Sequence, residues 1–355
     1  MKCPPGTIML DIVSTKLNQK ERQRLMHPLT GGLIFFTRNF DNPEQLRNLI
    51  TEIRSLRPEL LIAVDHEGGR VQRFRQGFTL IPSMGQIGEQ PLAYAKKLAF
   101  SAGYVLSYEL SQYDIDFSFT PVLDIDFGRS KVIGNRAFSS APETVGELAG
   151  YLIDGMHANG MKCCAKHFPG HGYAKADSHL TLPVDQRSWS EIENQDLLPY
   201  KMLAHSHLDS IMPAHVLYPS VDKIMPAGFS NIWLKRILRD EMGFEGVIFS
   251  DDLGMAGAAI AGNIVERAKT AIQAGCDMIL ICNQPDLAEQ VLASFTVDSD
   301  SHTASAKRLA GMRRARLEGI KTKNIASQYA EAKLELSRLN QCADKPSYND
   351  IVGNL

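Results

Sequence analysis

Residues 161–172 read Met-Lys-Cys-Cys-Ala-Lys-His-Phe-Pro-Gly-His-Gly. The first half is a short, mostly apolar run, the pattern of a buried strand. The second half delivers Lys166, His167 and His171, and Asp177-Ser178-His179 follows a few residues on. Titratable groups at the end of a buried strand are costly unless they are paired or used. An α/β barrel builds its mouth from such strand ends, so the question is whether the rest of the chain repeats the pattern.

It does. Short apolar or β-branched segments recur at residues 7–13, 32–37, 60–64, 117–122, 161–166, 210–215, 246–250 and 278–282. Helical patterns lie between them, as at 42–56, 92–113, 142–159, 188–204, 230–242 and 263–274. Three of these run into helix stops, Asn159-Gly160, Met242-Gly243 and Ala274-Gly275. Eight alternating units predict an α/β fold, a single (β/α)8 TIM-type barrel. It would occupy residues 1–340 together with C-terminal helices, leaving 341–355 as a tail. An open doubly wound sheet is the second choice, weakened because no Gly-x-Gly-x-x-Gly follows the first strand.

Polar residues fall at five of the expected strand ends. They are Asp65 and Glu67, Asp124 and Asp126, Lys166 and His167, His215, and Asp251 and Asp252. That coincidence weighs more than any one residue.

The bulk composition excludes some roles. Of 355 residues 44% are hydrophobic and 22% charged, and the net charge is −2. These are values of an ordinary globular protein, and they point to neither a nucleic-acid nor a membrane partner. The start, MKCPPGTIMLDIV, lacks the apolar core and cleavage site of a secretory signal. Six scattered cysteines form no CxxC pair, and adjacent Cys163 and Cys164 read as reduced and packed. A cytoplasmic location is expected. Lys307, Arg308, Arg313, Arg314 and Arg316 make the end of the chain basic, which reads as a solvated helix face before it reads as a binding patch.

Several residues could carry chemistry. Asp251 would point into the mouth as a nucleophile or base, although it could equally cap the segment after Leu253. Asp177 and His179 share a face in extended chain, and a carboxylate beside an imidazole orients it for proton transfer. A chance surface pair is the alternative. Arg70, Arg73 and Arg136 offer rigid forks of donors for sugar hydroxyls or anions. Asp65 could accept from two adjacent hydroxyls. A metal site is weighed from His205-x-His207 and His167-x3-His171. However, the first pair precedes its strand, at the wrong end of the barrel, and Pro169 and Gly170 keep the second pair off a common helix face.

Together these stretches resemble the β-N-acetylhexosaminidases of glycoside hydrolase family 3, in their single-barrel bacterial form. The matching runs are Ala63-Val64-Asp65-His66-Glu67-Gly68-Gly69-Arg70-Val71-Gln72-Arg73, Val132-Ile133-Gly134-Asn135-Arg136-Ala137-Phe138, Lys166 to Gly172, Asp177-Ser178-His179, and Phe249-Ser250-Asp251-Asp252-Leu253-Gly254-Met255. The resemblance implies that Asp251 is the nucleophile and His179 the general acid/base, oriented by Asp177. It implies that Asp65, Arg73, Arg136, Lys166 and His167 hold the terminal N-acetylglucosamine. It further implies retaining hydrolysis of β-linked N-acetylglucosamine from 1,6-anhydro-N-acetylmuramyl peptides in peptidoglycan recycling. No cofactor or metal is expected, and the chain is expected to be a monomer. His66 stands where the family more often has Gln, and Gly254 where Ser is frequent, which leaves substrate fine-tuning open. The loop of residues 168–182 is expected to close over the sugar, with Gly170 and Gly172 permitting the movement. Use of phosphate as acceptor in place of water remains a variant of the same chemistry.

Overall fold

A computed structural model describes residues 1–205, 207–298, 304–314 and 322–342. Eight parallel strands close into a barrel. They are β1 (Ile8–Leu10), β2 (Thr30–Phe35), β3 (Leu61–Val64), β4 (Phe117–Ser118), β5 (Lys162–Phe168), β6 (Ser210–Pro213), β7 (Val247–Asp252) and β8 (Met278–Ile281). They neighbour one another in chain order, and β8 returns to β1 through the pair Ile279 and Ile8. Each expected strand is present. β1 and β4 are much shorter than expected, β4 because Pro121 has no N–H to give the ladder.

Most strand residues are fully buried, as in a sheet covered on both faces. The barrel interior is filled by rings. Phe117 on β4 and Phe249 on β7 are not on neighbouring strands, yet their centroids are 5.3 Å apart. Their contact therefore crosses the barrel, and Phe119 closes the group at 5.0 and 5.4 Å.

The outer helices begin and end where local chemistry dictates. Asn42 accepts from the Gln45 N–H ahead of Pro43, and Asn263 forms a capping box with Glu266. Gly160, Gly243 and Gly275 carry positive φ at the predicted stops. Helices Leu92–Ser111 and Pro142–His157 approach so closely that a Cβ on Gly103 would sit 1.9 Å from the Leu152 carbonyl oxygen.

Two helices differ from expectation. The 188–204 pattern divides into Trp189–Asn194 and Leu197–Leu203. Pro199 cannot donate to Gln195, and Asp196 turns inward to an arginine described below. Ile232–Glu241 is a π-helix that sets Trp233, Leu234, Ile237 and Leu238 against the barrel.

The end of the chain straps the outside. Tyr329, on helix Thr322–Cys342, stacks on Tyr108 at 4.3 Å and donates to Glu109 Oε1 at 2.6 Å. Arg308 donates to Asp277 at 2.6 Å and Arg313 lies 3.7 Å from Asp116, so these basic residues tie the chain to the barrel. Arg316 and residues 343–355 of the expected tail lie outside the described residues. Cys3, Cys163, Cys164, Cys276 and Cys282 are free and buried. Among the described residues no helix is long and apolar enough to cross a membrane.

Candidate active site

Asp65 follows β3, and a small hairpin (His66–Gly68 with Val71–Gln72) turns the chain so that Arg73 returns to within 3.5 Å of it. In extended chain residues 65 and 67 share a face. Lys166 Nζ, on β5, meets both carboxylates, at 2.8 Å from Asp65 and 2.7 Å from Glu67. Arg136 grips Glu67 with a two-pronged fork, Nε at 2.9 Å and Nη2 at 2.7 Å. Burial raises the Asp65 and Glu67 carboxyls, but the facing cations outweigh it and hold both below the usual range. Burial likewise disfavours the Lys166 ammonium, yet the two carboxylates raise its pKa. The result is a rigid cup of three cations and two anions. Its remaining donors and acceptors are fixed in place before any hydroxyl arrives.

Next to the cup, Asp124 accepts from His167 Nδ1 at 2.7 Å and from the His171 backbone N–H at 2.6 Å. Burial raises this carboxyl, but His167 and His171 bring it below its ordinary value. Asp124 thus sets the ring of His167 and the first turn of the following loop together. His171 Nε2 lies 3.2 Å from Ser178 Oγ, which ties that loop back onto itself.

Asp251 and Asp252 close β7 and behave oppositely. Asp251 Oδ1 accepts the Asp252 N–H at 2.8 Å, and among the described residues no lysine or arginine pairs with it. Burial pushes its carboxyl up. The imidazoles of His215, His167 and His179 outweigh that and keep it below the usual range. Asp252 instead accepts from the backbone N–H groups of Gly254 (2.9 Å) and Cys282 (3.0 Å). Burial raises it to about 7 against those bonds. One carboxylate is an ionised group facing the mouth, and the other pins the strand end to β8. His215 stacks on Phe229 at 5.1 Å and holds the Asp252 carbonyl at 3.1 Å.

His179 and Asp177 sit on the exposed part of the loop, with Nδ1 of the imidazole 2.9 Å from Asp177 Oδ1. Ser178 between them is buried, and its carbonyl accepts the Gly257 N–H at 2.8 Å. Gly170 and Gly172 have a packing role besides the movement expected of them. A Cβ on Gly170 would lie 2.4 Å from Asp196 Oδ1, and one on Gly172 would lie 1.8 Å from the Ile125 carbonyl oxygen. In this conformation both positions have no room for a side chain, so close packing alone requires glycine there.

The structure brings all eight predicted residues to one end of the barrel: Asp251, His179, Asp177, Asp65, Arg73, Arg136, Lys166 and His167. Arg70 bonds instead to the Lys131 and Val132 carbonyls. Sequence reasoning placed Glu67, Asp124 and His215 at strand ends but gave them no role. The signal for Glu67 was its two-residue spacing from Asp65. His205 and His207 lie ahead of β6, away from the mouth. The described His/Cys/Asp group close enough to share an ion is His157, Cys163 and Asp209, also at that far end. Lys162 Nζ is already 2.7 Å from the same Asp209, which opposes a second cation.

The N-terminal domain model of glycosyl hydrolase family 3 matches residues 7–312. A β-hexosaminidase from Nitrosospira multiformis is 54% identical over 297 residues, 82% of this chain and 85% of that one. The native NagZ structure from Neisseria gonorrhoeae superposes with a TM-score of 0.86 at 46% identity, covering 95% of this chain and 98% of that one. The same protein solved in complex with N-trifluoroacetyl-D-glucosamine gives a TM-score of 0.85, again at 46% identity, covering 94% and 99%. A match of this extent, on a closed eight-stranded barrel with its charged cup at the strand ends, makes the chain a member of glycosyl hydrolase family 3 and a glycoside hydrolase.

Proposed function

We propose that the protein is a retaining exo-β-N-acetylglucosaminidase that removes terminal, non-reducing β-linked N-acetylglucosamine. In this reading its natural substrates are 1,6-anhydro-N-acetylmuramyl peptides of peptidoglycan recycling. The catalytic unit is residues 1–340, with 341–355 a tail, acting in the cytoplasm as a monomer without a cofactor. The relatives named β-hexosaminidase, and a neighbour that binds an N-acylated glucosamine, support the sugar class. The observation that carries the reading is Asp251: a partly buried, ionised carboxylate at a strand end, facing imidazoles and unpaired with any described lysine or arginine.

In the first step a carboxylate oxygen of Asp251 attacks the anomeric carbon as the bond to the aglycone oxygen breaks. His179 Nε2 gives its proton to that oxygen, while Asp177 holds Nδ1. In the second step water attacks the anomeric carbon, His179 takes the water's proton, and Asp251 leaves as a carboxylate. Two inversions give net retention. The low Asp251 pKa suits both roles, because the group is ionised before attack and leaves readily afterwards. Asp65, Lys166, Arg73, Arg136 and His167 hold the hydroxyl and acetamide groups. An imidazole acid also avoids placing a second anion beside the nucleophile, as a carboxyl pair would.

The test is release of nitrophenol from 4-nitrophenyl N-acetyl-β-glucosaminide by wild type and Asp251→Ala, with and without a chelator. Turnover that disappears in the variant and ignores the chelator is expected. Turnover abolished by the chelator would replace this reading with a metal-dependent hydrolase.

A further inference from the structure

The loop that bears His179 leaves the barrel after Phe168 and returns at Val184, which pairs with Leu217. Between these feet His179 is half exposed and Asp177 partly so, and whatever holds the feet determines where the imidazole can reach. One buried side chain touches both. Arg187 donates to Asp185 at the returning foot through Nε (3.0 Å) and Nη2 (2.6 Å). Its guanidinium also lies over the ring of Tyr173 at the departing foot, 4.2 Å from the centroid, and over Phe127 at 4.8 Å. Nη1 reaches Asp196 Oδ2 at 2.7 Å, at the break between the two helices that follow. Asp196 in turn fills the space beside Gly170, whose carbonyl accepts from Tyr218 Oη at 2.6 Å.

This is an expensive arrangement. Two carboxylates with no exposed side-chain surface share one guanidinium that is 5% exposed. Burial pushes Asp196 up to about 7 even beside the arginine. A buried ion cluster is weak as a source of stability and better suited to fixing one geometry. The planar fork and the stacked face of arginine together make contacts that lysine cannot reproduce.

We propose that Arg187 is a positioning residue for the reaction. By clamping Tyr173 and Asp185 to Asp196, it fixes both feet of the loop and so the approach of His179 to the leaving oxygen. This rests on the reading of His179 as acid/base.

The test compares Arg187→Lys, Tyr173→Leu and His179→Ala on two substrates. One is the 4-nitrophenyl glycoside, whose aglycone leaves with little protonation. The other is methyl N-acetyl-β-glucosaminide, whose aglycone needs a proton. Arg187→Lys is expected to lose about tenfold or more in kcat/KM on the methyl glycoside, as small misplacements of catalytic groups do, and under about twofold on the nitrophenyl one. Azide needs no general base to displace Asp251 from the anomeric carbon, so it should raise kcat of the variant on the nitrophenyl substrate and yield the glycosyl azide. Tyr173→Leu leaves the ion cluster intact and should show the same selectivity if Arg187→Lys does not fold. Equal losses on both substrates, or no azide effect in either variant, would overturn the positioning role. A His179→Ala variant without leaving-group selectivity would instead remove the acid/base reading on which the proposal rests.

Discussion

Asp177 Oδ1 accepts twice from His179, from ring Nδ1 at 2.9 Å and from the backbone N–H at 2.8 Å. A single carboxylate oxygen therefore fixes the imidazole relative to its own main chain. With Nδ1–H donated to Asp177, the neutral ring presents the Nε2 lone pair outward, ready to take a proton. Burial raises the Asp177 carboxyl, but the His179 N–H groups bring it below its ordinary value, so it stays an anion opposite the ring.

Asp177→Asn keeps an acceptor for the ring but removes the charge that favours the imidazolium. On an aglycone that needs protonation, kcat/KM should fall about 10²-fold, the usual scale for a weakened general acid. On the 4-nitrophenyl glycoside it should change little. Steady-state rates on both substrates check this, and equal losses on the two would mean that Asp177 serves the fold and not the proton.

The carboxylates that end β7 should separate cleanly. Asp251→Asn removes the nucleophile and should cost at least about 10³-fold in kcat, the scale of losing a group that forms the covalent bond. Asp252→Asn keeps the oxygen that accepts from Gly254 and Cys282, in a group whose charge burial already disfavours. Its loss should stay within about tenfold, since the hydrogen bonds survive. If both variants were equally dead, an acetamide-assisted route using the carboxylate pair would displace the two-step ester mechanism.

Glu67 holds two cations at once, so its removal leaves both buried and undercompensated. Glu67→Gln should destabilise the protein by about 3 kcal/mol, as breaking a buried ion pair does. It should also raise KM, because Arg136 and Lys166 lose the partner that aims them. Thermal unfolding and KM on the nitrophenyl substrate test the two effects separately. An unchanged melting temperature would show the cup to be far more hydrated than its burial suggests.

The reach of the sequence follows from how local each feature is. The barrel was legible because strands buried on both faces form continuous apolar runs, and Asp65, Lys166 and Asp251 were legible because each breaks such a run at its end. Asp124 was named but given no role: its strand is two residues long, and its partner His167 lies 43 residues further on. Arg187 carried no signal at all. Its meaning depends on Tyr173, Asp185 and Asp196 meeting in space, and no periodicity in the chain records that. The break at Gln195–Asp196 was in principle readable from Pro199, which an unbroken helix over 188–204 would not accommodate. That Gly170 and Gly172 are also sites of close contact was not readable, because only the neighbouring chain shows it.

His66 and Asp252 should tilt the pH dependence of stability in opposite directions. The His66 ring is fully buried against Phe74 and Phe78, at 5.9 and 5.8 Å, and among the described residues neither of its nitrogens has a hydrogen-bond partner. Burial and the nearby charges of Arg75 and Arg73 lower it to about 3. The unfolded chain then binds the proton more readily between about pH 6.5 and 3, so this group's contribution is present above 6.5 and is lost as pH falls. Asp252, raised to about 7, does the reverse: its contribution is present below about 3.8 and is lost as pH rises through 7. Each changes the slope of unfolding free energy by up to about 1.4 kcal/mol per pH unit. Denaturant unfolding from pH 4 to 6.5 should therefore show His66→Gln gaining relative to wild type as pH falls, and Asp252→Asn gaining as pH rises. Parallel curves for His66→Gln and wild type would show that the imidazole finds a proton partner in the folded state, and the aromatic pocket would then have to open to supply it.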